Sequence, residues 1–192
     1  FDLFNYMALI VCARARDYAE ITFHKFADEL EAKDAAGQYA FGAPENEKHR
    51  VTWEGIAVWT YLGATFKGLK NQGAVMTGSA YPGLWSLVYT PGDLESMAEA
   101  YTNVYINTCG PNRYEEFYKV VKNSKSDGIV LHLNRSCKLM GLLNNEGAEY
   151  VNAKLGVPYV SFDGDQTDPR VFTPAQYETR VQALTEMMDE NQ

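Results

Sequence analysis

The chain has 192 residues, 46% of them hydrophobic and 22% charged, ordinary proportions for a folded domain and far from those of a disordered, collagen-like or coiled-coil chain. Seventeen Lys and Arg against 25 Asp and Glu leave a net charge of -8, which repels a phosphate backbone unless the bases gather on one face, so nucleic acid is a poor partner. The longest stretch without a charged side chain, 71–92, holds four glycines and two prolines and excludes a membrane helix there.

Leu3, Met7, Ile10, Val11, Tyr18, Ile21 and Leu30 recur at roughly helical intervals and predict one long helix, or two abutting ones, over residues 3–30. Residues 34–50 carry Gly37, Gly42, Pro44 and a charged run, the composition of a solvated connector. A domain edge is expected there, with a helical segment and connector at 1–50 and an α/β domain at 51–192. A strand is predicted over 51–58, then a helix capped by Thr60 with Leu62, Phe66 and Leu69 along one side, then a short strand over 74–77. Leu94, Met97, Ala98 and Tyr101 mark a helix that starts at Asp93. Asn112 and Glu115 form a capping-box pattern ahead of Tyr114, Phe117, Tyr118 and Val121, and Asp127-Gly128 closes that helix. Compact apolar runs at 129–133 and 159–162 read as buried strands. The last helix is the best marked: Thr173 caps it, Pro174 takes the first turn, Gln176 completes a box, and Tyr177, Val181, Leu184 and Met188 share one face. Strand and helix alternate from Val51 onward. The fold class expected is therefore α/β, a mainly parallel four-stranded sheet with helices on both faces, preceded by a long N-terminal helical segment. Ligands of such sheets sit at the carboxyl ends of the strands, which points to the loops beginning near Trp59, Gly78, Asn134 and Asp163.

Glycine-rich nucleotide loops, a P-loop Lys, H-E-x-x-H and C-x-x-C are absent. The loop after the third strand, Asn134-Arg135-Ser136-Cys137-Lys138, packs a guanidinium, a hydroxyl, a thiol and an ammonium together. A thiol beside Arg135 and Lys138 at a helix N-terminus should have a lowered pKa, suited to metal ligation or nucleophilic attack; the alternative is a buried cysteine flanked by two solvated bases. The loop after the fourth strand holds Asp163, Asp165 and Asp168. Such a set suits Mg²⁺, as in a Mg²⁺-dependent phosphotransferase, but without a phosphate cradle a turn at Asp163-Gly164 and an Asp168–Arg170 pair are favoured. Glu54, inside an apolar strand, needs a partner or a catalytic task, although solvated glutamates at strand ends are commoner. His132 is either close to the thiol loop or a satisfied core histidine. Trp59, Tyr81 and Trp85 follow the first two strands, where they line a pocket or simply the core. Cys12 reads as helix packing, Cys109 as a turn thiol, and His24 and His49 as surface residues. Three scattered cysteines and the lack of a secretory signal point to a reducing, cytoplasmic setting, and a chain that starts at Phe1 rather than Met points to a fragment.

These loops resemble a known family. Asn134-Arg135-Ser136-Cys137-Lys138, Phe162-Asp163-Gly164-Asp165 and Asp168-Pro169-Arg170 are similar to motifs of the 2-hydroxyacyl-CoA dehydratase family. So are Phe1-Asp2-Leu3-Phe4-Asn5, Trp53-Glu54-Gly55-Ile56 and residues 175–182, and the likeness is greatest to the C-terminal part of the α-type subunits. The resemblance implies an oxygen-sensitive heterodimer that removes water from a 2-hydroxyacyl-CoA to give a 2-enoyl-CoA through a ketyl radical. One electron comes from an ATP-dependent iron-sulfur activator protein, and the other partner is a β-type subunit. It also implies a [4Fe-4S] cluster with Cys137 as one ligand and the other ligands in a portion this chain does not contain, so that the chain alone is inactive. Cys12 and Cys109 do not match the family ligands. Ser136, His132 and Glu54 stand as catalytic candidates, and Arg135, Lys138, Trp59 and Tyr81 as candidates for binding substrate. A non-catalytic binding or subunit-docking module, and the phosphotransferase built on Asp163, Asp165 and Asp168, are the alternatives.

Overall fold

The computed structural model describes residues 11–13, 16–85 and 87–191. The opening motif at 1–5, and Leu3, Met7 and Ile10 of the first expected helix, lie outside them. Within them the first long helix, α1, spans Asp17–Ala35 and buries only Ala19. Tyr18, Ile21 and Leu30, the residues expected to seat it, are each more than half exposed. Cys12, expected to pack, is exposed as well.

Four parallel strands form the sheet, in the order β2-β1-β3-β4. Strand β1 is His49–Glu54. It begins two residues earlier than the apolar pattern indicates, because the amides of Lys48 and His49 both donate to the carbonyl of Gly73 at the mouth of β2. That places His49 in the interior rather than on a surface connector, with Nε2 3.1 Å from an Asp189 carboxylate oxygen. The strand also ends earlier. Gly55 sits at φ +104°, and a Cβ there would lie 2.6 Å from the carbonyl oxygen of His132, so only glycine passes this point. A short turn at Trp59–Tyr61 leads into α2 (Leu62–Asn71), which has no side-chain cap, so Thr60 does not serve as one.

Strand β2 is Ala74–Ser79. Helix α3 (Leu94–Thr102) starts as expected: the Asp93 carboxylate accepts from the amides of Glu95 and Ser96, each at 3.0 Å. Helix α4 (Gly110–Asn123) begins before the expected Asn112 cap, at Cys109, because Pro111 fits the first turn, where its missing N–H is not needed. Strand β3 is Gly128–Asn134. Two further helices follow that the apolar pattern does not announce, α5 (Lys138–Gly141) and α6 (Asn144–Leu155), the latter closed by left-handed Gly156. Strand β4 is Tyr159–Gly164, and α7 is Pro174–Glu190 with Tyr177, Val181, Leu184 and Met188 all buried.

Alternation along the strands sends side chains to two cores. Val51, Trp53, Val130, Val160 and Phe162 pack with Leu69 of α2 and the buried stripe of α7. Ile129 and Leu131 face the other way, toward Phe117 and Val121 of α4 and Ala148 and Val151 of α6. Helices therefore cover both faces. From β1 the chain steps outward to β2, then returns past β1 to β3. The carboxyl ends of β1 and β3 consequently flank the point where strand order reverses, which is where doubly wound sheets open a crevice. Among the described residues no helix is long and apolar enough to cross a membrane.

Candidate functional site

At this end of the sheet β3 gives way to Arg135-Ser136-Cys137, and Cys137 is the residue ahead of the first turn of α5. Its thiol is free and half-buried, against the core on the α2/α7 face. Tyr81, after β2, is buried beside it: burial raises the phenol's pKa, and negative charge at Cys137 adds to the rise. Tyr81 and Cys137 thus share the core on this face. Trp59 stands on the turn that follows β1, partly exposed.

The loop is fixed by the carboxylate of Asp165, which is 2% exposed. Asp165 accepts from the amide of Ser136 at 2.9 Å and from the Ser136 hydroxyl, and also from the amides of Thr167 at 2.9 Å and Asp168 at 3.0 Å. These donors, the Ser136 hydroxyl first, hold its pKa well below the usual carboxylate range. Asn134 adds a second tie, accepting from the amides of Ser136 and Gln166 at 3.3 Å and donating to Gln166 at 3.2 Å. Asp163 pairs with Arg135 at 3.4 Å, and Asp168 with Arg170 at 2.6 Å. The Asp168–Arg170 pair favoured from the sequence is present, and the three carboxylates each face a different partner instead of converging on one point. Among the described residues no group of three His, Cys, Asp or Glu side chains is placed to hold a metal ion.

The charges around the thiol also differ from expectation. Arg135 is exposed and faces Asp163, and α5 is a single turn, so few peptide dipoles add up along it. Lys138 is exposed at its first position. His132 points into the α2/α7 core, stacked on Phe162 at 5.2 Å with Nδ1 at the carbonyl of Ile56. Burial lowers its pKa and favours the neutral ring. Cys109 is exposed, and His24 is exposed on α1 beside Glu20.

Glu54 is not solvated. It is fully buried, because β1 is flanked by β2 and β3 and α4 covers this face. Tyr105 donates its hydroxyl to Glu54 at 2.8 Å, and the guanidinium of Arg113, 2% exposed, lies 3.9 Å away. Burial outweighs both and raises the Glu54 pKa to about 7. Arg113 also donates to the carbonyls of Leu139 at 2.7 Å and Met140 at 3.3 Å, and to Asn144 at 2.9 Å, and its guanidinium lies 4.9 Å from the Tyr105 ring centre. Composition and motif reading miss Tyr105, Arg113 and Asn144. One signal was present: Arg113 precedes Phe117 and Val121 by four and eight residues, a charge on the helix's buried stripe. A cleft of about 500 Å³ lies behind Tyr105, but Glu99 and Glu116 line it, which suits phosphates poorly.

Comparison with known proteins adds a family. Residues 1–188 match the family described as 2-hydroxyglutaryl-CoA dehydratase, D-component. The chain is 61% identical to the lactoyl-CoA dehydratase subunit alpha of Anaerotignum propionicum, over 100% of this chain and 45% of that protein. It is 43% identical to the (R)-2-hydroxyisocaproyl-CoA dehydratase alpha subunit of Clostridioides difficile, over 99% of this chain and 46% of that one. With the (R)-2-hydroxyglutaryl-CoA dehydratase subunit alpha of Acidaminococcus fermentans the identity is 39%, over 100% of this chain and 39% of the relative. The chain thus spans less than half the length of these relatives.

Proposed function

The chain belongs to the 2-hydroxyglutaryl-CoA dehydratase D-component family, and from that premise we propose that it is part of a subunit that removes water from a 2-hydroxyacyl-CoA to give a 2-enoyl-CoA. Cys137 serves there as one thiolate ligand of a [4Fe-4S] cluster. The observation that carries this reading is the position of the sulfur, half-buried at the carboxyl end of β3, beside the reversal of strand order. One thiolate fits one corner of a four-iron cluster, and the remaining ligands come from outside the described residues. When bound, such a cluster supplies one-electron chemistry and an iron that acts as a Lewis acid.

The chain's own residues hold and enclose that corner. Asp165 fixes the backbone one residue before the sulfur and engages the Ser136 hydroxyl, so the side chain next to the ligand has a set orientation. Tyr81, buried in the core against which the sulfur packs, keeps water from that side. The Arg135–Asp163 pair forms the outer lip, and Lys138, exposed at the mouth, offers positive charge to the phosphates of a CoA ester on a surface that is otherwise acidic. Trp59 supports the acyl end. In this reading the sheet and its helices, from His49 onward, form the ligand-bearing domain and the residues before it a separate segment. The protein works in the cytoplasm with a β-type subunit and an ATP-dependent iron-sulfur activator protein. Anaerobic reconstitution of the full-length polypeptide with iron and sulfide tests it: a broad brown absorption forms and is lost in Cys137→Ala. A Cys137→Ala protein with unchanged colour and iron content overturns it.

A further inference from the structure

Arg113 occupies a place where an aliphatic side chain would continue the stripe of Phe117 and Val121, yet it brings a charge into a nearly sealed interior. Burying an arginine costs several kcal/mol unless its donors are met, and replacing a buried ion pair by apolar residues is often neutral or stabilising. Stability therefore does not explain the choice. Its contacts do: two of them end on the carbonyls of Leu139 and Met140, two and three residues past Cys137. On the other side of the sulfur, Asp165 grips the amide of Ser136. Cys137 is thus the residue left between two buried charges of opposite sign. Glu54, Tyr105 and Asn144 aim the guanidinium, and a planar fork is the group that can reach two successive carbonyls at once, which an ammonium does with less direction.

We infer that Arg113 is a positioning residue for the Cys137 turn, clamping the carbonyls of Leu139 and Met140 so that the sulfur keeps a fixed direction at the crevice. The inference rests on the cluster-ligand reading for its purpose, but not for its measurement. In the metal-free full-length polypeptide, the rate of Cys137 alkylation by iodoacetamide is followed on the peptide that contains it by mass spectrometry. Arg113→Lys raises that rate about tenfold, as loss of charge-assisted hydrogen bonds to the turn implies. Tyr150→Phe, which cuts the 2.5 Å hydrogen bond from Tyr150 to Glu115 between α4 and α6 without touching the turn, leaves it unchanged. Should Arg113→Lys fold poorly, the pair Glu54→Gln with Arg113→Met removes both charges, keeps the packing, and still raises the rate. A parental rate in a folded Arg113 variant, or an equal rise in Tyr150→Phe, overturns the inference. Retention of the brown absorption by Cys137→Ala overturns the cluster reading alone.

Discussion

Asp165 and Glu54 are both carboxyl groups removed from water, one in the loop after β4 and one at the end of β1, and they respond in opposite ways. Asp165 is wrapped by a tight loop whose amides of Thr167 and Asp168 converge on one oxygen while Ser136 donates twice to the other, and its acidity is increased. Glu54 ends a strand, and of its neighbouring amides that of Gly55 turns toward its carboxyl group. It receives a hydroxyl and a guanidinium 3.9 Å away, and its acidity is decreased, to a pKa of about 7. Burial is common to both; the supply of donors decides the sign. A loop can turn successive N–H groups onto one anion, and a parallel strand cannot. The comparison also bears on Cys137, since these two carboxyl systems hold the backbone on its two sides.

The contrast can be broken at its stronger end. Asp165→Ala leaves two loop amides and the Ser136 group without an acceptor, and a loss of about 4 kcal/mol is expected in urea unfolding at pH 7. Because the folded pKa of Asp165 lies below its unfolded value, its contribution is present above the unfolded pKa near 3.8 and disappears as pH falls through the folded one. The gap between parent and variant therefore narrows in acid. An unchanged gap at pH 7 and at pH 2.5 breaks the account.

Glu54 sharpens the contrast because the sign inverts. Its folded pKa lies above the unfolded 4.5, so the stability it brings is fully present below pH 4.5 and is lost as pH rises through about 7. The move corresponds to about 3 kcal/mol. Glu54→Gln keeps an acceptor for Tyr105 and abolishes that loss, so urea unfolding at pH 5 and pH 8 should show the variant gaining on the parent at the higher pH. A parent whose stability is flat over this range excludes a perturbed Glu54. The smallest expected effect is that of Ser136→Ala, which removes one of the donors to Asp165 while leaving the backbone amide in place. A cost of about 1 kcal/mol and a rise in the Asp165 pKa, followed by NMR titration of its carboxyl carbon, are expected.

Much of this arrangement was legible in the residues. Val130, Val160 and Phe162 mark buried strands by apolar runs, and Tyr177, Val181, Leu184 and Met188 mark α7 by a stripe at helical spacing. The run Asn134-Arg135-Ser136-Cys137-Lys138 points to the end of β3. Helix α6 is hidden because its buried residues, Asn144, Gly147, Ala148 and Val151, are small or polar and leave little periodic signal. The early end of β1 depends on Gly55 meeting the backbone of His132, 77 residues later, which no local pattern encodes.

The sequence by itself determined four strands, the helices with a marked apolar stripe, that the sheet is parallel, and which loop carries the thiol, because each follows from periodicity or chemistry within a few neighbouring positions. Only the tertiary structure decided that Asp163 and Asp165 turn to separate partners, that Glu54 is sealed beneath α4, and that Arg113 reaches across to the turn after Cys137. The physical reason is that a charge's partner and its access to water are set by groups tens of residues away, brought within a few ångströms by packing and unordered along the chain.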